Sequence, residues 1–376
     1  MEQAHDRVAD LTTRGLDVVS FARAANEVIT KAVPSRFPPC WTLVDPASLL
    51  ITGSFDGRGG GMSHKMLVEE YLDEGSLKTA DLLRSTSTVL TADDVVAVAP
   101  DPEREVRAMQ RLGITDAAAS LLRTHAGQPW GAVFYSRCRG PFDRREVDFL
   151  RAITRHLAHG VQRGFLVGEA TDSDGPEPPG LVVLDEDWGI ASATPGVERW
   201  LADLSPDGPD DRGLPPAVVS VAARALRTAR GEDAPGEVAV ARVLTQSGRW
   251  VLLHGAAMVA DGERRAAVIV EPAHPARITP LLMAAYGLTE REQDVTRRVL
   301  SGDSTAEIAA ALFVSPYTVQ QHLKSIFEKT RVHSRRELVA KVFFAHYEPR
   351  VRDNEQRVAA DQPIRGGPYP YRPDAN

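Results

Sequence analysis

Between residues 288 and 346 the apolar residues recur at helical spacing in four short blocks, and each block is opened by a small hydroxyl residue. Thr289-x-x-Glu292, Ser304-x-x-Glu307 and Ser334-x-x-Glu337 are spaced as capping boxes. In such a box the hydroxyl and the carboxylate each satisfy a backbone N–H that the helix start leaves unpaired. Ser315 supplies the remaining start, with Pro316 at the first helical position. Only Phe313 and Val314 separate Leu312 from Ser315, which leaves room for nothing but a tight corner, so the second and third helices must cross steeply.

The third of these helices, from Pro316 to about Lys329, divides by its 3.6-residue period. Val319, Leu323, Ile326 and Phe327 form one side, suited to pack on Ile308, Ala309 and Leu312 of the second helix and on Val295 and Val299 of the first. Tyr317, Gln320, Gln321, Lys324 and Glu328 form the other. A merely solvated face has the same composition. Its place decides between them: on the second helix of a helix-turn-helix the outward polar face enters the major groove, where Gln and Lys read adenine or guanine edges.

The ordered matches LTEREQDV, G, EIA, L, VS, TV, HL, I and K across this stretch resemble the LuxR/FixJ-type DNA-binding domain, over roughly 60 of the 376 residues. The resemblance implies that residues 284–346 form an all-α four-helix helix-turn-helix domain. It further implies that Gln320, Gln321 and Lys324 face bases, while Ser315, Thr318 and Lys329 hold phosphates and set register. His322 matches the family's histidine, as a half-buried structural residue or a phosphate contact. The fourth helix carries Leu338 and Val342 on one stripe, which the resemblance makes a candidate homodimer surface as well as core. One departure stands out: Lys329-Thr330-Arg331-Val332 occupies the place of the family's common Lys-Leu-Gly-Val. Helices commonly exit through a left-handed residue, which glycine adopts freely and arginine does not, so mild strain is expected at Arg331.

Upstream, the pattern is α+β. Residues 8–166 open with an amphipathic helix bearing Leu16, Val19, Ala22, Val28 and Ile29. Short strands follow at 40–44 and 49–55, then helical stretches near 62–74 and 102–112, a hairpin over 119–137 and a closing helix over 143–165. The order, with WGAVFYSR and PFDRREVDFLRAITRHLAHGV at its end, resembles a GAF sensor domain. Residues 181–273 read as strand, turn, strand, short helix, helix and about three strands, an order similar to a PAS-type module in which Asp185 to Gly189 is a hairpin turn. Residues 167–180 have the composition of an exposed linker, 205–216 are a second break, and 347–376 are expected to be disordered. Trp41, Trp130 and Phe134 are candidates to line a small-molecule pocket in the sensor region, although aromatic residues on strands are more often plain core.

Charge sharpens this division. Residues 288–346 hold nine Lys/Arg against seven Asp/Glu, a net of +2, while the whole chain stands at −7 and the remainder therefore at −9. Contact with double-stranded DNA is confined to the C-terminal region. Cys40 and Cys138 are the only cysteines, which points to reduced thiols in a cytoplasm rather than a disulfide framework. No apolar run is long enough to span a bilayer and the N-terminus has no signal-peptide core, so no membrane partner is expected.

Candidate chemistry fails on spacing. His64, His125, His156 and His159 lack partners at metal-ligand spacing, and Gly57 to Gly61 lacks the Gly-Lys-Ser/Thr that holds nucleotide phosphates. No catalytic residue, metal or cofactor is assigned, and an enzyme is not expected. The reading is a signal-responsive, sequence-specific transcriptional regulator, with RNA polymerase implied as a partner. Two alternative readings make different demands on the sequence. A phosphorylation-driven response regulator would need a receiver domain at the N-terminus, and a sigma-factor-like protein would need a basic all-helical region upstream; neither pattern occurs.

Overall fold

A computed structural model describes residues 1–35, 37–58, 60–75, 77–124, 127–166, 179–205, 212–232, 237–260, 263–273, 275–339 and 341. They fall into two compact units, the first built from residues up to 166 and from 179–272, the second from 275 onward.

The first unit opens with two helices, α1 (Glu2–Leu11) and α2 (Val18–Ala32), where one was expected. Gly15 breaks them with φ +67° and Asp17 restarts the chain by accepting the Ser20 N–H. Then come β1 (Cys40–Val44), β2 (Ile51–Phe55), α3 (His64–Leu72), α4 (Thr79–Arg84), β3 (Val89–Thr91), α5 (Ala92–Val98) and α6 (Pro102–Arg111). The hairpin of β4 (Asp116–Arg123) and β5 (Pro129–Arg137) and the long α7 (Arg144–Gly164) complete this half. The sheet is antiparallel, in the order β2-β1-β5-β4-β3. Helices α2 and α7 pack together, and Gly160 of α7 lies so close to the Phe21 ring that a Cβ there would sit 2.0 Å from it. Only glycine permits that approach.

A second antiparallel sheet follows, in the order β7-β6-β10-β9-β8. Its strands are β6 (Gly180–Leu184), β7 (Ile190–Ala193), β8 (Val240–Leu244), β9 (Trp250–Ala260) and β10 (Glu263–Pro272), with α8 (Val197–Asp203) and α9 (Pro216–Arg230) inserted between β7 and β8. Asp185 closes the β6–β7 turn by accepting the N–H groups of Asp187 and Gly189 at 3.0 and 2.7 Å. It is a turn residue, as the sequence suggested.

Helix α9 joins the two sheets. Every residue from Pro216 to Ala225 is buried, because the helix packs on β9 and β10 to one side and on α3 and β2 to the other. A helical stretch buried on every side is an interior element, and Ser220 and Arg224 are enclosed in it with the apolar residues. Two ion pairs lie along the same seam. Arg242 donates to the fully buried Asp45 carboxylate through its backbone N–H and Nε, each at 3.0 Å. Arg224 Nη1 meets Glu237 at 2.7 Å. Residues 8–166 and 181–273 thus share one hydrophobic core, running from Leu50, Leu67 and Tyr71 to Val219, Leu253 and Val268.

The second unit consists of α10 (Pro275–Ala285), α11 (Glu290–Leu300), α12 (Thr305–Ala311), α13 (Pro316–Thr330) and a helical stretch beginning at 335. It starts before the expected residue 284, since α10 contributes Met283 to the core. Met283 and Leu288 pack with Val295, Ile308, Val319, Leu323 and Ile326. Val342, most of the linker (167–178) and the tail (347–376) lie outside the described residues.

Candidate nucleic-acid interface

The caps set the angles of α11, α12 and α13. Thr289 and Glu292 exchange hydrogen bonds, the Thr289 N–H reaching Glu292 Oε2 at 2.8 Å. Ser304 and Glu307 do the same, with the Ser304 N–H 2.7 Å from Glu307 Oε2. Ser315 Oγ accepts the Thr318 N–H at 3.0 Å. At the fourth helix Ser334 Oγ accepts the Glu337 N–H at 3.1 Å, but Glu337 returns its carboxylate to the N–H of His333 rather than Ser334. The corner between α12 and α13 is closed by main chain: Phe313 N–H to Ala310 O at 3.3 Å and Val314 N–H to Ala309 O at 3.0 Å. Arg291 of α11 reaches across to the Leu312 carbonyl and fixes the corner against the first helix.

Helix α13 therefore turns Val319, Leu323 and Ile326 into the core and leaves Tyr317, Gln320, Gln321, Lys324 and Glu328 exposed on one face. Gln320 is anchored, its Nε2 lying 3.3 Å from Thr305 Oγ1. Thr305 Oγ1 also takes Arg335 Nη2 at 2.8 Å, while Arg335 Nη1 bonds the Asp303 carbonyl at 2.8 Å. Ser315 and Thr318 sit at the start of the helix with their hydroxyls 2.8 Å apart. His322 is half-buried.

Two residues sit elsewhere than their expected roles suggest. Lys329 Nζ meets Glu292 Oε2 at 2.6 Å, and Ser325 Oγ donates to Glu292 Oε1 at 2.6 Å. Burial pushes the Glu292 carboxyl up, but the hydrogen bonds from Lys329, Ser325 and the Thr289 N–H outweigh that and hold its pKa below the ordinary value. The capping box accounts for only one role of Glu292; Ser325 and Lys329, one turn apart on α13, give it a second that no spacing along the chain reveals. Leu338 is the second case. Its side chain is 0% exposed within the core, so the dimer face expected through Leu338 is not carried by that side chain. The expected left-handed exit is present: Arg331 has φ 54° and ψ 50°.

In the first unit the aromatic candidates do not converge. Trp41 lies fully buried against α2, donating Nε1 to Asn26 Oδ1 at 2.8 Å with its ring edge-on to Phe21. Phe134 pairs in register with Cys40, the neighbour of Trp41, so strand alternation turns it to the opposite face of the sheet. Trp130 is buried beside Phe165, whose ring stacks in turn on Trp250, and its Nε1 finds no acceptor among the described residues. Burial pushes the Cys40 thiol up to about 11, which keeps it protonated at neutral pH. Among the described residues no group of three or more His, Cys, Asp or Glu could hold a metal ion, and no helix is long and apolar enough to cross a membrane.

Residues 287–342, which contain α11 to α13 and their caps, match the family "Bacterial regulatory proteins, luxR family". They form a LuxR-family domain. Residues 44–161, from the end of β1 into α7, match the GAF domain. The chain is 46% identical over 48 residues to a nitrate/nitrite response regulator protein homolog of Haemophilus influenzae, covering 13% of this chain and 23% of that protein. It is 46% identical over 50 residues to the uncharacterized transcriptional regulatory protein YhcZ of Bacillus subtilis, again covering 13% and 23%. This chain thus spans about a quarter of the length of these relatives. Among solved structures, a phage VqmA–DPO complex is 20% identical with a TM-score of 0.24, covering 44% of this chain and 81% of that one.

Proposed function

We propose that the chain is a sequence-specific, DNA-binding transcriptional regulator whose first unit receives a signal. The observation that carries this reading is the exposed face of α13, where Gln320, Gln321 and Lys324 stand clear of the core on the second helix of a capped helix-turn-helix. Bidentate side chains in that position discriminate bases. Ser315 and Thr318, at the start of α13, are assigned to phosphates, where the helix N-terminus favours anions. Lys329 can add a phosphate contact only through the N–H groups that Glu292 leaves unused.

Regulation of this kind takes place in the cytoplasm and has RNA polymerase as its further partner. A homodimer on two half-sites about one helical turn apart is the assembly that fits a helix-turn-helix of this type. The signal is assigned to the GAF domain. Like the PAS-like character of residues 181–273, that assignment rests on the order of elements.

The test is selection of duplexes from a random pool by the full-length protein, followed by binding at several salt concentrations. Enrichment of a paired motif with a steep salt slope is expected. A pool that stays random would refute the reading. Native mass spectrometry of the purified chain checks the sensor: a retained small molecule is expected.

A further inference from the structure

Phe313 holds a left-handed backbone, φ +54°, in the corner between α12 and α13, and its side chain is 96% exposed. The two facts pull against each other. A residue with a Cβ loses free energy in that conformation where glycine does not, and a ring held in water recovers none of it by packing. The corner's hydrogen bonds do not need a phenyl group, since main-chain groups close it. A strained, exposed, bulky residue of this kind points to a contact outside the chain.

Its surroundings say which contact. Phe313 lies two residues before the cap Ser315, at the end of α13 that penetrates a groove first. Tyr317, 73% exposed, continues the same end toward Gln320 and Gln321. A phenyl ring has no donor for a phosphate. The apolar feature that the major groove offers is the 5-methyl group of thymine, against which phenylalanine packs.

We propose that Phe313 reads a thymine at the edge of the bound site by packing on its methyl group, extending base recognition from α13 into the corner before it. This rests on the function proposed above.

The test uses the full-length protein and its selected duplex, with each thymine replaced in turn by deoxyuridine, which lacks only the methyl. At one thymine per half-site the wild type is expected to bind the uracil duplex about fourfold more weakly, the worth of one methyl group withdrawn from water. Phe313→Gly binds both duplexes equally at that position and keeps the wild-type response at every other. Phe313→Asn, which also tolerates the left-handed turn, behaves in the same way, and both variants melt no lower than the wild type. If Phe313→Gly responds to every uracil as the wild type does, the inference is overturned while the selected site keeps the proposed function standing. If DNA binding is unchanged and only polymerase-dependent transcription falls, the ring faces a protein and the inference is again overturned. A pool that yields no site overturns the proposed function and this inference with it.

Discussion

Replacing Lys329 with methionine separates a structural role from a DNA-binding one, because the side chain is committed to both in principle and to one in the unbound protein. Its Nζ sits 2.6 Å from Glu292 Oε2, and the Glu292 side chain is only 6% exposed against 33% for Lys329. Removing one partner of a deeply buried pair costs about 3–5 kcal/mol. Here Glu292 keeps the Ser325 hydroxyl and the Thr289 N–H, and water reaches the lysine end. The loss should therefore be that of one charge-assisted hydrogen bond, about 2 kcal/mol. For a domain of this size that lowers the melting transition of the C-terminal unit by roughly 8–16 °C, measured by calorimetry at neutral pH. The pH dependence has a definite sign. The Glu292 pKa is held down in the folded state, so the stabilisation is complete above its unfolded value near 4.5 and is lost as pH falls through the folded one. The gap between wild type and Lys329→Met should close under acid. An unchanged melting transition at neutral pH, together with a salt slope reduced by about one on every duplex, would refute this reasoning and make Lys329 simply a phosphate ligand.

Three further outcomes are expected. Gln320→Ala or Gln321→Ala should cost about 1–3 kcal/mol on the selected duplex and little on a scrambled one, measured by titration at two salt concentrations; equal losses on both would remove base reading from this face. Arg331→Gly should stabilise the C-terminal unit by up to about 1 kcal/mol, because glycine adopts the φ of 54° without strain, and denaturant titration showing a loss would contradict that. Asp45→Ala, which strips the buried partner from Arg242, should cost about 3–5 kcal/mol and lower the unfolding of both sheets of the first unit together; hydrogen exchange accelerated in one sheet alone would show that they are not one cooperative body.

What could be read in advance was what is local. The boxes at Thr289 and Ser304 need only residues three apart, and the division of α13 into Val319, Leu323 and Ile326 against Gln320, Gln321 and Lys324 needs only a period. The exit at Arg331 was legible because glycine's usual place was taken. What depends on distant partners was not. Glu292 and Lys329 are 37 positions apart, and no pattern says that a capping carboxylate also receives a lysine. Periodicity put Leu338 on a stripe without saying what would cover it. Trp41 and Phe134 look alike in the sequence as aromatics on strands, yet which face each takes depends on the β1–β5 register. α4, β3 and α5, of six, three and seven residues, were too short to show a period.

The burial of α9 also bears on how the chain is made. The helix covers α3, and Arg227 of α9 donates to the carbonyl of Tyr71, 156 residues earlier. At a synthesis rate of about 5–20 residues per second, the apolar face around Leu67 and Tyr71 waits roughly 8–30 s for its cover to emerge from the ribosome. Throughout that interval the first sheet and its helices present to the cell an oily surface that the finished protein hides, and chaperones have that window in which to recognise the nascent chain.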